Sequence, residues 1–142
     1  MWFDPLMIWL LRSPLHRLLS NSTMLVTYTG KRTGRTITLP VNYFREGNLL
    51  HTISFRRRSW WRNFRDGGQV ELLLRGKRIS AKVQSCEDPE QVAEVLVFAV
   101  ERNPELGKYL GIHVYSDGEI DQEDVNNAAV DRVTIAFDIS GS

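Results

Sequence analysis

The 142-residue chain has one cysteine, Cys86. That excludes an internal disulfide and a thiolate metal cluster, and it makes a reducing cytoplasm the expected compartment. Its three histidines, His16, His51 and His113, stand far apart without metal-ligand spacing, so each is read as structural or superficial. No run of eighteen apolar residues exists, so nothing is long enough to span a bilayer as a helix. The apolar N-terminus lacks a basic start and a small-residue cleavage site, which argues against a signal peptide. Gly-x-Ser-x-Gly and His-Glu-x-x-His are missing, and Cys86 has no plausible histidine beside it. Acid–base hydrolysis is therefore unsupported, and any catalysis should draw its reactivity from a bound cofactor.

Acid is also scarce where it would matter. Residues 1–65 hold eleven lysines and arginines against two acids, while residues 66–142 hold seven against fifteen. The overall charge of +1 hides this polarity, which points to an anionic partner for the first half or, more blandly, to a solvated basic face. The sharpest case is Ser54-Phe55-Arg56-Arg57-Arg58-Ser59-Trp60-Trp61-Arg62-Asn63-Phe64, which contains four arginines, two tryptophans and no acid. Guanidinium groups grip phosphate or carboxylate, and indoles offer flat faces to a ring. Such a segment suits a ligand that is planar at one end and polyanionic at the other.

The length and the apolar and charged fractions, 42% and 25%, are those of one ordinary globular domain. Asp4-Pro5 and Ser13-Pro14 each read as a helix start, giving a helical N-terminal segment over residues 1–20. Its leucines and tryptophans alternate with Arg12, His16 and Arg17. Residues 2–19 then either make a peripheral membrane contact or lie across the mouth of their own domain. From Met24 the period becomes two, and residues 24–86 form the expected barrel core. Strands are expected over 24–29, 35–43, 49–54, 70–74 and 79–83, with turns at Gly30–Gly34, Glu46-Gly47-Asn48 and Gly76. Pro40 cannot donate a ladder hydrogen bond and places the second strand at an edge or bulge. Ser59 is positioned to cap a short helix over Trp60–Phe64. Residues 89–131 form a helical and acidic insertion with helix starts at Asp88-Pro89, Asn103-Pro104 and Asp121, and 133–139 is the closing strand. This is a mainly β, small antiparallel barrel of about six strands, with helices at the start and after the fifth strand.

Two basic segments are candidate anion sites. In the turn Gly30–Gly34 glycine lets the backbone approach an anion while Lys31, Arg32 and Arg35 supply charge. Arg56, Arg57 and Arg58 form the second segment. Both lie at strand ends and could flank one cleft. Of Trp60 and Trp61, neighbours in a short helix, one should face the core and the other cover it or present a stacking platform.

Thr29-Gly30-Lys31-Arg32-Thr33-Gly34-Arg35, then Leu39-Pro40-Val41, a strand ending in Ser54, and Trp60-Trp61-Arg62-Asn63-Phe64 together resemble the deazaflavin-dependent nitroreductase family. There a Thr-x-Gly-Arg-Lys-Ser-Gly turn, a Thr-Pro-Leu strand and a Trp-Tyr-x-Asn-Leu helix follow in the same order. The resemblance covers roughly residues 20–85. It implies an antiparallel split β-barrel of the flavin-reductase-like kind that binds the 8-hydroxy-5-deazaflavin coenzyme F-420, whose tail carries a phosphate and several glutamates. By the resemblance Lys31, Arg32 and Arg35 would hold the tail. Ser54, Phe55 and Arg56, with the Arg57–Arg58 loop, would close on phosphate and ring. Trp60 and Trp61 would line the ring, with Pro40 and Val41 behind it and Asn63 fixing the loop. Tyr109 would stand near the substrate. The chain departs from the family where Phe55–Ser59 replaces a glycine-containing loop ending in His-Pro, and the acidic stretch 112–131 has no counterpart.

The resemblance implies hydride transfer from the reduced coenzyme to a planar small-molecule acceptor such as a quinone or nitroaromatic, with no metal. Alternatives left open are an FMN-binding reductase on the same barrel and a non-catalytic carrier of the coenzyme. A nucleic-acid module is the disfavoured alternative. The chain is expected in the cytoplasm, with or without membrane association, as a monomer or homodimer.

Overall fold

The computed structural model describes residues 23–141. The helical segment expected over residues 1–20 lies outside them. Seven strands form one antiparallel sheet: β1 (Thr23–Thr29), β2 (Thr36–Asn42), β3 (Phe44–Glu46), β4 (Leu49–Phe55), β5 (Gln69–Leu74), β6 (Lys77–Cys86) and β7 (Arg132–Asp138). A five-residue 3-10 turn, Trp60–Phe64, follows β4, and helices α1 (Pro89–Arg102), α2 (Leu106–Leu110) and α3 (Gln122–Asp131) separate β6 from β7. No helix among the described residues is long and apolar enough to cross a membrane.

Strand order in the sheet is β2-β1-β5-β6-β7-β4-β3. Consecutive strands β2 and β3 thus occupy opposite edges while only Tyr43 separates them in the chain. One residue can join two edges only if the sheet curls until they meet. The seam is pinned where the Thr52 hydroxyl donates to the Asn42 carbonyl at 2.9 Å. The strand expected over 35–43 is β2, and β3 lies just beyond it at Phe44–Glu46, where no strand is expected, so the count is seven. Alternation continues through Tyr43, so side-chain periodicity does not register that the backbone changes partner there. Pro40 sits on β2, an edge strand, opposite Leu25 of β1, where its missing N–H costs no ladder bond on the free side.

The inward face holds one core, with Met24, Val26, Leu50, Leu72 and Phe137 each fully buried and Trp61 and Phe64 closing one end. A second core lies where α1 and α3 pack together against the outer face, through Val92, Leu96, Val100 and Val125. Removing a large side chain from either core costs about 2–5 kcal/mol. Asp88 caps α1 by accepting from the Gln91 N–H, with Pro89 at the first helical position, and Asp121 caps α3 through the Asp124 N–H. Ser59, by contrast, makes no side-chain cap. The 3-10 turn behind it closes by backbone alone, with Arg62 N–H donating to the Ser59 carbonyl at 3.1 Å.

Candidate functional site

The turn between β1 and β2 and the 3-10 turn after β4 meet through one side chain. Asn63 Oδ1 accepts from the Lys31 N–H at 3.0 Å, and Asn63 Nδ2 donates to the Trp60 carbonyl at 2.8 Å. Lys31 Nζ stands 3.7 Å from the Asp66 carboxylate. The basic turn and the tryptophan turn, 32 positions apart at this bond, therefore adjoin. Within the first, Gly30 N–H donates to the Arg35 carbonyl, Gly34 N–H to the Gly30 carbonyl and Arg35 N–H to the Thr33 hydroxyl. These bonds engage the Gly30, Gly34 and Arg35 amides, and Lys31, Arg32 and Arg35 supply the turn's charge. Arg32 and Arg35 are exposed, and their guanidinium groups meet no partner among the described residues.

The three arginines after β4 have different surroundings. Arg56 donates Nε to the Val130 carbonyl at 3.0 Å and Nη2 to the carbonyls of Glu87 and Arg132 at 2.8 and 3.0 Å. Its guanidinium ties the end of β6 to the end of α3 and the start of β7. The Arg57 guanidinium carbon lies 4.4 Å from the centre of the Phe55 ring. Arg58 is exposed, and its side chain meets no partner among the described residues.

The two indoles also divide. Trp61 is 1% exposed and belongs to the barrel core, with Arg62 and Arg65 over its ring at 5.2 and 5.1 Å. Its Nε1 has no partner among the described residues. Trp60 is only partly buried; it meets Phe64 edge-on at 5.8 Å and donates Nε1 to the Ser54 hydroxyl at 3.1 Å. Trp60 is therefore the indole that can present a face, Ser54 orients it, and Val41, 8% exposed, stands in the core beneath.

A cavity of about 860 Å³ opens between β3, β4 and the helices α1 and α2. On β4, His51, Ile53 and Phe55 point into it, while Ser54 turns the other way to Trp60, as strand alternation requires. Phe55 and Tyr109 are the two predicted site residues that line it, Tyr109 at the rim and 81% exposed. Arg45, Arg75, Arg102 and Arg132 line it as well, and no acid among the described residues does. Burial pushes the Tyr43 phenol up, with Arg75 and Arg45 partly pulling it back, so the group stays a neutral donor at pH 7. His51 is buried against the cavity wall, with Nε2 2.8 Å from Glu46 Oε1 and its ring stacked on Phe44. Sequence reasoning missed this site because its cations come from four separate segments and adjoin only once the sheet has curled. Asn42 and Phe55 belong both to the cavity wall and to the strand ends that form the seam. From Asn42 back to the basic turn, β2 runs six residue steps, about 20 Å.

Among solved structures, a general stress FMN/FAD-binding protein from Xanthomonas citri superposes with TM-score 0.52 at 17% identity, over 85% of this chain and 77% of its own. A NimC/NimA family protein from Clostridium acetobutylicum does so with TM-score 0.52 at 16% identity, over 85% and 76%. An F-420 reductase also matches, 14% identical over 84% of this chain and 87% of its own, but at TM-score 0.47, which carries no weight here. No protein-family model matches the sequence, and no curated protein does. At these identities the likeness is one of fold, an antiparallel split barrel.

Proposed function

We propose that this protein binds a deazaflavin of the coenzyme F-420 type and serves an oxidoreductase reaction with a planar acceptor, a quinone or nitroaromatic. The observation that carries the reading is the Asn63 bridge, which sets the basic turn beside the tryptophan turn. The residues present fit such a group. Arg32, Arg35 and Arg58 are uncommitted cations for a polyanionic tail, with Lys31 beside them, and Trp60 is a part-buried indole for a flat ring. Several cations across two turns exceed what the single phosphate of FMN needs, which favours a polyanionic tail.

When bound, the reduced coenzyme supplies a hydride, and the acceptor, taking that hydride and one proton, is reduced by two electrons. This chain's own part is orientation, exclusion of water and charge. Ser54 fixes the Trp60 ring, Pro40 and Val41 wall the seam, and Arg56 holds the loop in place from behind. Tyr43 and Tyr109, both phenols at the cavity, can hold the proton that accompanies reduction.

Turnover separates an enzyme from a carrier. Anaerobic mixing of protein, reduced coenzyme and a panel of quinones and nitroaromatics should give protein-dependent oxidation of the coenzyme. Tight coenzyme binding with no oxidation across the panel would make the protein a carrier instead.

A further inference from the structure

The large cavity has a chemistry that the cofactor reading does not use. Its four arginines come from β3, the β5–β6 hairpin, the end of α1 and the start of β7, and the described residues of its wall include no carboxylate. The other large groove, about 840 Å³ between α1 and α3, is lined by Glu90, Glu94 and Glu101 and by no lysine or arginine among the described residues. Charge is thus sorted between the two hollows. Arg132 is buried, paired with Asp131 at 3.1 Å and placed 4.1 Å over the Phe55 ring. Arg102 lies 4.5 Å over Phe98, and Arg45 spends only Nε, on the Gly47 carbonyl.

The backbone adds an independent observation. Arg75 sits at φ 51°, the one positive φ among the described non-glycine residues, in the tight hairpin before Gly76. Such turns favour Asn, Asp or Gly, and an arginine there carries a conformational cost of about 1 kcal/mol. Strain kept at a residue that lines a cavity points to use of its side chain.

We propose that this cavity binds planar anions, aromatic or conjugated rings bearing a carboxylate or sulfonate. On the oxidoreductase reading, on which this extension rests, its acceptors are then acid-bearing quinones or nitroaromatics rather than neutral ones. Tyr43, Phe44 and Phe55 supply the ring contacts and the arginines the counter-charge.

The test needs no coenzyme, so its outcome is separable from that of the hydride-transfer reading. The full chain is titrated at low salt with 8-anilino-1-naphthalenesulfonate and with N-phenyl-1-naphthylamine, the same rings without the sulfonate, following probe fluorescence. The sulfonate should bind at least tenfold more tightly. In the double variant Arg75→Asn, Arg102→Gln that preference should fall to threefold or less, while Arg32→Gln, Arg35→Gln on the distant turn should leave it intact. Asparagine suits the left-handed position, so Arg75→Asn should melt no lower than the parent, and Arg102→Gln alone repeats the test at an exposed helix end. Equal affinity for the two probes, no sulfonate binding, or an equal loss in the two double variants would overturn the proposal.

Discussion

Arg56 spends its guanidinium on three backbone carbonyls, those of Glu87, Val130 and Arg132. Arg32 and Arg35 carry the same group with no partner among the described residues. Side chains of one type should therefore fail in different ways. Arg56→Ala leaves those carbonyls without their donor and should lower stability by about 2–3 kcal/mol; Arg56→Lys should not restore it, since an ammonium lacks the planar fork. Urea denaturation measures both. Arg32→Ala and Arg35→Ala should leave stability unchanged and weaken coenzyme binding more for long-tailed than for tail-less forms, which parallel titrations would register. Trp60→Ala should cost about 1–3 kcal/mol of ring affinity, by analogy with aromatic stacking on bases. A loss seen only in thermal melting would make Trp60 a core residue.

At the scale of elements, Asn63 is the joint between two turns. Asn63→Ala removes both of its hydrogen bonds and should cost about 1–2 kcal/mol. Because it frees the basic turn from the tryptophan turn, coenzyme affinity should fall in the same variant, although Asn63 itself need not touch ligand. Gly107 marks a second close contact: a Cβ there would stand 2.4 Å from the Ile112 carbonyl, so Gly107→Ala should displace the α2–Ile112 segment and lower the melting temperature. Much of this layer was legible in the sequence. Alternation over Ile37, Leu39 and Val41 marked β2, Pro40 marked it as an edge, and Asp88-Pro89 and Asp121 marked the starts of α1 and α3. Side-chain period cannot register a change of pairing partner, so the break at Tyr43 that makes β3 was not legible. Ser59 looked like a cap because serine before a helix often is one, yet a five-residue 3-10 turn closes through its own backbone. The arginines of the cavity carried no local signal, since each comes from a separate segment and they adjoin only in the fold.

Over the whole molecule charge is sorted in space, although three of the four cavity arginines come from the acidic half of the sequence. The basic turn and the tryptophan turn adjoin, one hollow is ringed by arginine and the other by glutamate. The acidic half also sets the pH response. Paired hydrogen bonds from Arg65 hold the Glu87 carboxyl below its ordinary value, the Tyr115 hydroxyl does so for Asp121, and Ser140 for Asp138. Each folded value lies under the unfolded one, so these contributions are complete above about pH 4 and are lost as pH falls through the folded values. The urea midpoint should therefore hold from pH 7 to about 5 and drop below 4, and Glu87→Gln should make that drop shallower. All these groups are partly exposed, so the change should be small.

The central claim, that the basic turn and the tryptophan turn together receive a flat ring with a long anionic tail, is tested most directly by titrating the protein with coenzyme F-420 and with FMN side by side. Saturable quenching of deazaflavin fluorescence, tighter with each added glutamate and abolished in Arg32→Ala, Arg35→Ala, with only weak FMN binding, is the predicted result. Tight retention of FMN together with deazaflavin binding that ignores tail length would contradict it.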